Sequence, residues 1–470
     1  MEFRGYIERH AGVVLTTIAG LYIAIRMVSL SATTLLVLFV TVVICGVLMK
    51  YPEAALVMYV TSLGFLDPVA EVFGLPEGIR ALPFAIMVAF LVLYYFLKRK
   101  RALYIGGIGT VAILILLLLV LGLLWTDGPL YGRHKVAAYL MYNMLAFLGT
   151  TAFVEDGKRL KRMMYTGLWL GLLVLAIGVA MMVSNFTQGE WERYSILGFT
   201  PLPLARSLGV LVISCLVVAR ICPSGWQRRI LLAAIPVAVF FLFQTGSRMP
   251  TVSALLSLLI YLVFLSRRSV FKKLALVGIA GIMSYGIFLY APEGAQQRFT
   301  GLLEGTDQEL DATRRGGRAY LYHEGMEAFK TQPIIGLGTG GFTPYYAGHD
   351  TKGYPHNLML EMAAELGGLG VGVMGVFLAL NGVLIWRIIR NNREITKDNS
   401  LLIWGALLFL LAVGNSMTTG DITDNSMIWF ASAFMWTAYK SGSRSGENWA
   451  DEGKYQGSEA VDGRRVGVRR

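Results

Sequence analysis

The stretch YPHNLMLEMAAELGGLGVG, residues 354–372, decides how the chain is read. It sets a histidine, an asparagine and two glutamates at the threshold of an apolar run that continues to residue 386. A run of that length can cross a hydrocarbon core about 30 Å thick. Groups suited to proton transfer therefore stand where a water-facing connection meets a span. The rest of the chain shows what kind of protein carries such a threshold.

Of the 470 residues, 55% are hydrophobic and 15% charged, and the mean hydropathy is +0.58. That balance is far from a soluble domain and belongs to an integral membrane protein. Apolar segments long enough to span fall near 12–29, 32–49, 53–73, 80–97, 104–125, 135–153, 163–184, 202–220, 229–246, 250–266, 272–290, 358–386, 401–418 and 424–440. They predict an all-α polytopic fold of about fourteen transmembrane helices, or about twelve or thirteen if the early segments merge. Arg26 interrupts the first segment, only Ser29 to Ser31 separate it from the second, and Asp67, Pro68 and Pro76 break the third. The first segment lacks a small-residue cleavage pattern and reads as a retained anchor. Cys45, Cys215 and Cys222 have no paired spacing, so neither a disulfide framework nor a zinc site is expected.

The net charge of +12 is distributed as topology, not as a nucleic-acid surface. KRKR (98–101), KRLKR (158–162), QRR (227–229), RRSVFKK (267–273) and RIIRNNREITK (387–397) occupy every second connection. By the positive-inside rule these connections and both termini are cytoplasmic. The alternate connections, around 127–134, 185–201, 247–249 and 419–423, face outward, together with one long loop at 291–355. A loop of that length in a tightly connected bundle is functional or disordered. From Thr313 to Lys330 the positions Ala319, Tyr322, Met326 and Phe329 recur at helical spacing before Pro333, which predicts a short amphipathic helix on the membrane surface. Residues 1–440 then form one membrane domain, and the polar tail 441–470 is expected to be a disordered cytoplasmic extension. No internal repeat is evident.

Several side chains are candidates for chemistry. His356 alone among the five histidines stands where a loop meets a span, beside Asn357 and with Glu361 and Glu365 one turn apart on the following helix. Held geometry of that kind suits a general base, although the same residues also suit a capped helix start. Arg248, in QTGSRMP, lies in an outward turn where orientation asks for no positive charge. Arg314, Arg315 and Arg318 cluster at the start of the predicted surface helix, Arg206 follows the double-proline stretch TPLPLARS, and Arg193 lies in the same outward connection. Snorkelling accounts for any one of them, whereas several together describe an anion site whose planar forks fit a lipid diphosphate. In IIGLGTGGF, Gly336, Gly338 and Gly341 stand in G-x-G-x-x-G register, but no strand–helix context surrounds them. The run reads as a tight turn allowing close backbone approach. The glycines at 367, 368, 370, 372 and 375 read as a close-packing helix face. Asp421 and Asp424 in TTGDITDN are either solvated loop carboxylates or groups for sugar hydroxyls or a divalent ion.

Three stretches in order, TGSR (245–248), RGGRAYLYHEGMEAFKTQPIIGLGTGGF (315–342) and PHNLMLEMAAELGGLG (355–370), resemble the O-antigen ligase and polymerase superfamily, with the likeness covering residues 185–390. The resemblance implies a polytopic glycosyltransferase of the bacterial inner membrane with its active site facing the periplasm. Its donor would be an undecaprenyl diphosphate-linked glycan and its acceptor lipid A–core or a growing polysaccharide, with no cofactor or metal. Carried onto this chain, it makes His356 the base on the acceptor hydroxyl and Arg248 and Arg318 the diphosphate ligands. Arg206 joins them as a weaker transfer, because relatives often carry an asparagine–proline pair where this chain has TPLPLARS. Asn357, Glu365, Arg315 and Arg193 are the supporting candidates. Ligase and polymerase stay open within the resemblance, and outside it a lipid-linked sugar transporter or flippase is the alternative. A transporter would place ionisable groups near the midplane, and here nearly all lie toward one face.

Overall fold

A computed structural model of the chain describes residues 50–62, 106–152, 157–185, 201–266, 269–290, 317–418 and 421–441, with a few isolated positions besides. The expected spans at 12–29 and 32–49, most of that at 80–97, the tail after 441, Arg193 and Arg315 lie outside the described residues. Regular structure among the described residues is helical throughout: α1 (Pro52–Ser62), α2 (Gly106–Leu121), α3 (Pro129–Ala138), α4 (Leu145–Thr151), α5 (Gly157–Asn185), α6 (Pro201–Ile221), α7 (Gly225–Gln244), α8 (Arg248–Phe264), α9 (Val270–Leu289), α10 (Arg318–Thr331), α11 (Phe342–Ala347), α12 (Leu358–Asn391) and α13 (Ser400–Ser416). A final helix, α14, covers 426–441. Among these residues five helices are long and apolar enough to cross a membrane, Gly106–Leu124, Gly157–Ala180, Pro201–Ile221, Gly225–Gln244 and Leu358–Asn391, and α8 and α13 are shorter apolar helices. The chain is a helical membrane protein.

Helix α6 runs through the middle, buried along nearly its whole length. In a membrane, apolar surface alone does not drive helices together, so close approach depends on small residues and buried hydrogen bonds. Both are present. A Cβ on Gly171 of α5 would lie 2.7 Å from Leu211, and one on Gly209 would lie 3.0 Å from Leu411 of α13. The Trp404 indole donates to Ser214 at 3.0 Å, and Asn381 of α12 accepts from Ser432 and Trp436 of α14 at 2.8 and 3.2 Å.

The two ends of the bundle differ in charge. At one, Glu53 of α1 pairs with Arg159 and Arg162 of KRLKR at 2.6 and 3.0 Å, and the start of α5 lies by Ser441. At the other, described connections that carry Asp350, Arg248 and Asp421 converge. Asp350 receives the Leu130 and Tyr131 amides at the start of α3, at 2.7 and 2.9 Å, and Ser253 near the start of α8 packs against Gly414 near the end of α13.

Helix α12 is broken, not continuous. Gly367 adopts φ 63 and ψ −154, which leaves carbonyls before it and amides after it without helical partners. Segment 333–338 supplies them. Leu337 and Gly338 donate to the Ala364 and Glu365 carbonyls at 3.0 and 2.9 Å, while Gly368 and Leu369 donate to those of Pro333 and Ile334 at 2.8 and 3.3 Å. The glycine face expected along this span is therefore corrected: Gly367 makes the break, and Cβ atoms on Gly372 and Gly375 would meet nothing within 4 Å. The expected surface helix also differs. It starts at Arg318, and its buried positions are Leu321, Gly325 and Ala328, with Met326 46% exposed. Gly325 lets α10 sit directly on Pro355 and Leu360, so tertiary packing selected a different face from the one the apolar periodicity picked.

Candidate functional site

His356 is the one non-glycine residue with positive φ among the described residues, at 54°. An L-residue held in the left-handed region costs about 1–2 kcal/mol, and such conformations persist where surrounding structure imposes them. Here Pro355 is buried against α10 on one side. On the other, the Asn357 side chain accepts from the Leu360 amide at 3.0 Å and caps α12. Asn357 thus works on the helix backbone. The half-buried imidazole lies edge-on to Tyr354, with centroids 4.5 Å apart. Burial and then the Arg318 guanidinium push its pKa down to about 4, against an opposing pull from Asp424. The ring is neutral at pH 7, the state a proton acceptor needs.

Asp424 gathers the rest. Arg206, in the first turns of α6, donates to its carbonyl at 3.1 Å. Its carboxylate accepts from the Lys352 ammonium at 3.1 and 3.3 Å, and that ammonium lies 5.6 Å from the Tyr354 ring centroid. Arg206, Asn415, Asn425, Ser426 and Asp424 line a hollow between α6, α13 and the turn before α14. Arg318 opens α10 and is exposed. Arg248 opens α8 at this same end of the bundle, after Ser247. The structure thus brings His356, Arg318 and Arg206 into one neighbourhood, with Arg248 at the head of the adjoining α8.

The family model for O-antigen ligase matches residues 231–375. That stretch runs from α7 through the break in α12 and contains Arg248, Arg318, Lys352 and His356. A search of curated proteins finds no match to the chain. The match covers under half of the chain, and it says what this segment is similar to. Arg206 and Asp424 lie outside the matched residues and reach it through the bundle.

A second charged group adjoins this segment, and sequence reading missed it. Lys135 of α3 is fully buried, 2.7 Å from Glu361, 2.7 Å from Glu365 and 3.4 Å from Asp421, each of them also fully buried. The remaining oxygens are used as well. Glu361 accepts from the Ile422 amide and Glu365 from the Gly340 amide, both at 3.0 Å, and Asp421 accepts from Thr423 at 2.8 Å and from the Tyr131 hydroxyl. Glu365, expected beside His356, instead spends both oxygens on this frame. Burial opposes the charge on Asp421, but Lys135, the Thr423 amide and Tyr131 outweigh it and hold the carboxyl below its usual range. Nothing near Lys135 in sequence marks it. The available signal was Glu361 and Glu365 at i, i+4 in a span, which demand a buried cation from elsewhere. Lys135 lies among all three carboxylates and neutralises part of their charge.

The glycine run behaves as its turn reading requires. Gly340 has φ +79, and a Cβ on it would lie 2.6 Å from the Gly132 amide nitrogen. The loop backbone is thereby pressed onto α3 beside Lys135.

Proposed function

We propose that the protein transfers a glycan from undecaprenyl diphosphate to a sugar hydroxyl at the periplasmic face of the bacterial inner membrane, with lipid A–core as acceptor. The observation that carries this reading is the neutral, backbone-constrained His356 beside Arg318, with Arg206 close by at Asp424. Both termini are cytoplasmic in this reading. The basic end of the bundle then faces inward and the converging connections outward, where no nucleotide sugar is available and a lipid diphosphate is the activated donor.

The chemistry is one in-line displacement with inversion. The acceptor oxygen forms its bond to the anomeric carbon as its proton passes to the His356 ring. The anomeric carbon–oxygen bond breaks and its electron pair leaves on the diphosphate. Arg318, Arg206 and Arg248 stabilise that developing charge, the role in which preorganised cations contribute most. No metal is required for this step.

Purified protein in liposomes, supplied with undecaprenyl diphosphate glycan and lipid A–core, tests the reading. H356A is expected to lower transfer by about 10²–10⁴-fold with an unchanged melting temperature. In the wild type kcat/KM should stay flat from about pH 7.5 to about pH 5.5, because an imidazole titrating near 4 stays neutral throughout. Transfer by H356A at the normal rate would remove the base. Lengthening of the lipid-linked glycan in place of lipid A–core modification would identify a polymerase, and movement of lipid without a new glycosidic bond a transporter.

A further inference from the structure

The proposed reaction leaves a positive charge on His356 once the hydroxyl proton has moved, and that charge needs a partner. The groups facing His356 are Arg318 from α10, Tyr354 from its own loop and Asp424 from the turn before α14. Among these groups, Asp424 is the one whose charge favours an imidazolium. Its carboxylate, however, is occupied by Lys352, which lies in the same loop four residues before His356. The two side chains are 50% and 37% exposed, so their ion pair is open to solvent and exchangeable. The ammonium also lies over the Tyr354 ring, whose other neighbour is His356. Lysine, aromatic ring and imidazole therefore line up around one carboxylate. That carboxylate is fixed from behind, because Asp424 belongs to a capping box with Asp421 and its carbonyl accepts from Arg206.

We infer that Asp424 is the positioning carboxylate for His356, and that Lys352 occupies it until an anionic donor draws the ammonium away. The inference rests on the proposed role of His356 and adds two residues to it. A diphosphate diester carries one negative charge on each phosphate. Arriving between Arg206 and Arg318, it gives Lys352 a stronger partner than a single half-exposed carboxylate. The lysine then contacts the donor, and Asp424 is left to face the ring that must accept a proton. Donor binding and base activation become one event. In the empty site burial and Arg318 keep the imidazole neutral, while the Lys352 ammonium holds the carboxylate that opposes them.

The test reads His356 without any transfer assay. The rate of diethyl pyrocarbonate labelling, resolved by mass spectrometry for the His356 peptide, follows its neutral fraction as pH is lowered. K352M, at a half-exposed position that leaves the fold intact, is expected to move the labelling midpoint up from about 4 toward the ordinary histidine value. D424N, which keeps an oxygen for the turn, is expected to move it down, and the double variant to return it close to wild type. In the transfer assay D424N should lower kcat about tenfold or more with little change in donor KM, while K352M should raise donor KM severalfold. A K352M midpoint equal to wild type, or a D424N enzyme with wild-type kcat and midpoint, overturns the inference. The outcomes separate from those for His356 as base. An active H356A variant defeats the base while the labelling midpoints still show whether the three residues are coupled. An inactive H356A variant with unmoved midpoints defeats only the coupling.

Discussion

The two charged groups at this end of the bundle are built on opposite plans. Around Lys135, one cation meets three carboxylates, all at zero exposure, and backbone amides and a tyrosine hydroxyl take up the remaining oxygens. Around His356, the cations Arg206, Arg318 and Lys352 gather near Asp424, whose carbonyl accepts from Arg206 and whose carboxylate accepts from Lys352, and solvent reaches Lys352, Arg318 and Asp424. The contrast separates a structural frame from the group proposed as the site. A sealed cluster whose every oxygen has a partner has nothing left to offer a ligand, whereas an open group rich in cations offers an anion a place to bind. The two are joined at Asp421 and Asp424, three residues apart in one capping box, so the frame sets where the site stands.

The comparison breaks first at Lys135. Removing one partner of a buried ion pair leaves uncompensated charge, so K135M should cost about 3–5 kcal/mol, seen as a lowered melting temperature in detergent or loss of folded protein. K135M/E365Q should recover part of that loss, because the variant removes one of the stranded carboxylates. Equal stability of K135M and wild type would mean that the sealed cluster is not a frame. Next comes the glycine contact. G340A puts a side chain at positive φ against the Gly132 backbone and should cost about 2–4 kcal/mol by the same thermal measurement. The smallest effect is expected at Asn357. N357A loses the cap on α12, about 1 kcal/mol, while a wild-type pH profile of kcat/KM would show that the amide serves the helix and not the imidazole.

Hydropathy located long apolar helices because it is a local property. The expected spans 104–125, 163–184, 202–220, 229–246 and 358–386 fall on the helices Gly106–Leu124, Gly157–Ala180, Pro201–Ile221, Gly225–Gln244 and Leu358–Asn391. His356, Arg318 and Arg206 could be singled out as candidates for a related reason, since each is a polar residue at an apolar boundary. The frame was not legible, because its bonds join Lys135 to partners 226 and 230 residues away and no local pattern encodes such a meeting. The packing face of α10 was misread because Gly325 and Ala328 count as weakly apolar in a periodicity yet permit the closest contact. The break at Gly367 was hidden for the converse reason: its stretch is uniformly apolar, and only the arrival of residues 333–338 makes a gap there tolerable.

That docked segment constrains how the molecule is made. The break in α12 can be satisfied only when residues 333–338 are already alongside it, and the same loop must close on Gly122, where Thr339 donates to a carbonyl at 3.1 Å, and on Trp125, which donates to Gly336 at 3.1 Å. Those contacts lie more than two hundred residues apart in the chain, on helices delivered to the bilayer at different times. Assembly of this end of the bundle therefore needs residues from both halves of the chain. A chain without it would leave backbone groups of α12 unpartnered on either side of Gly367.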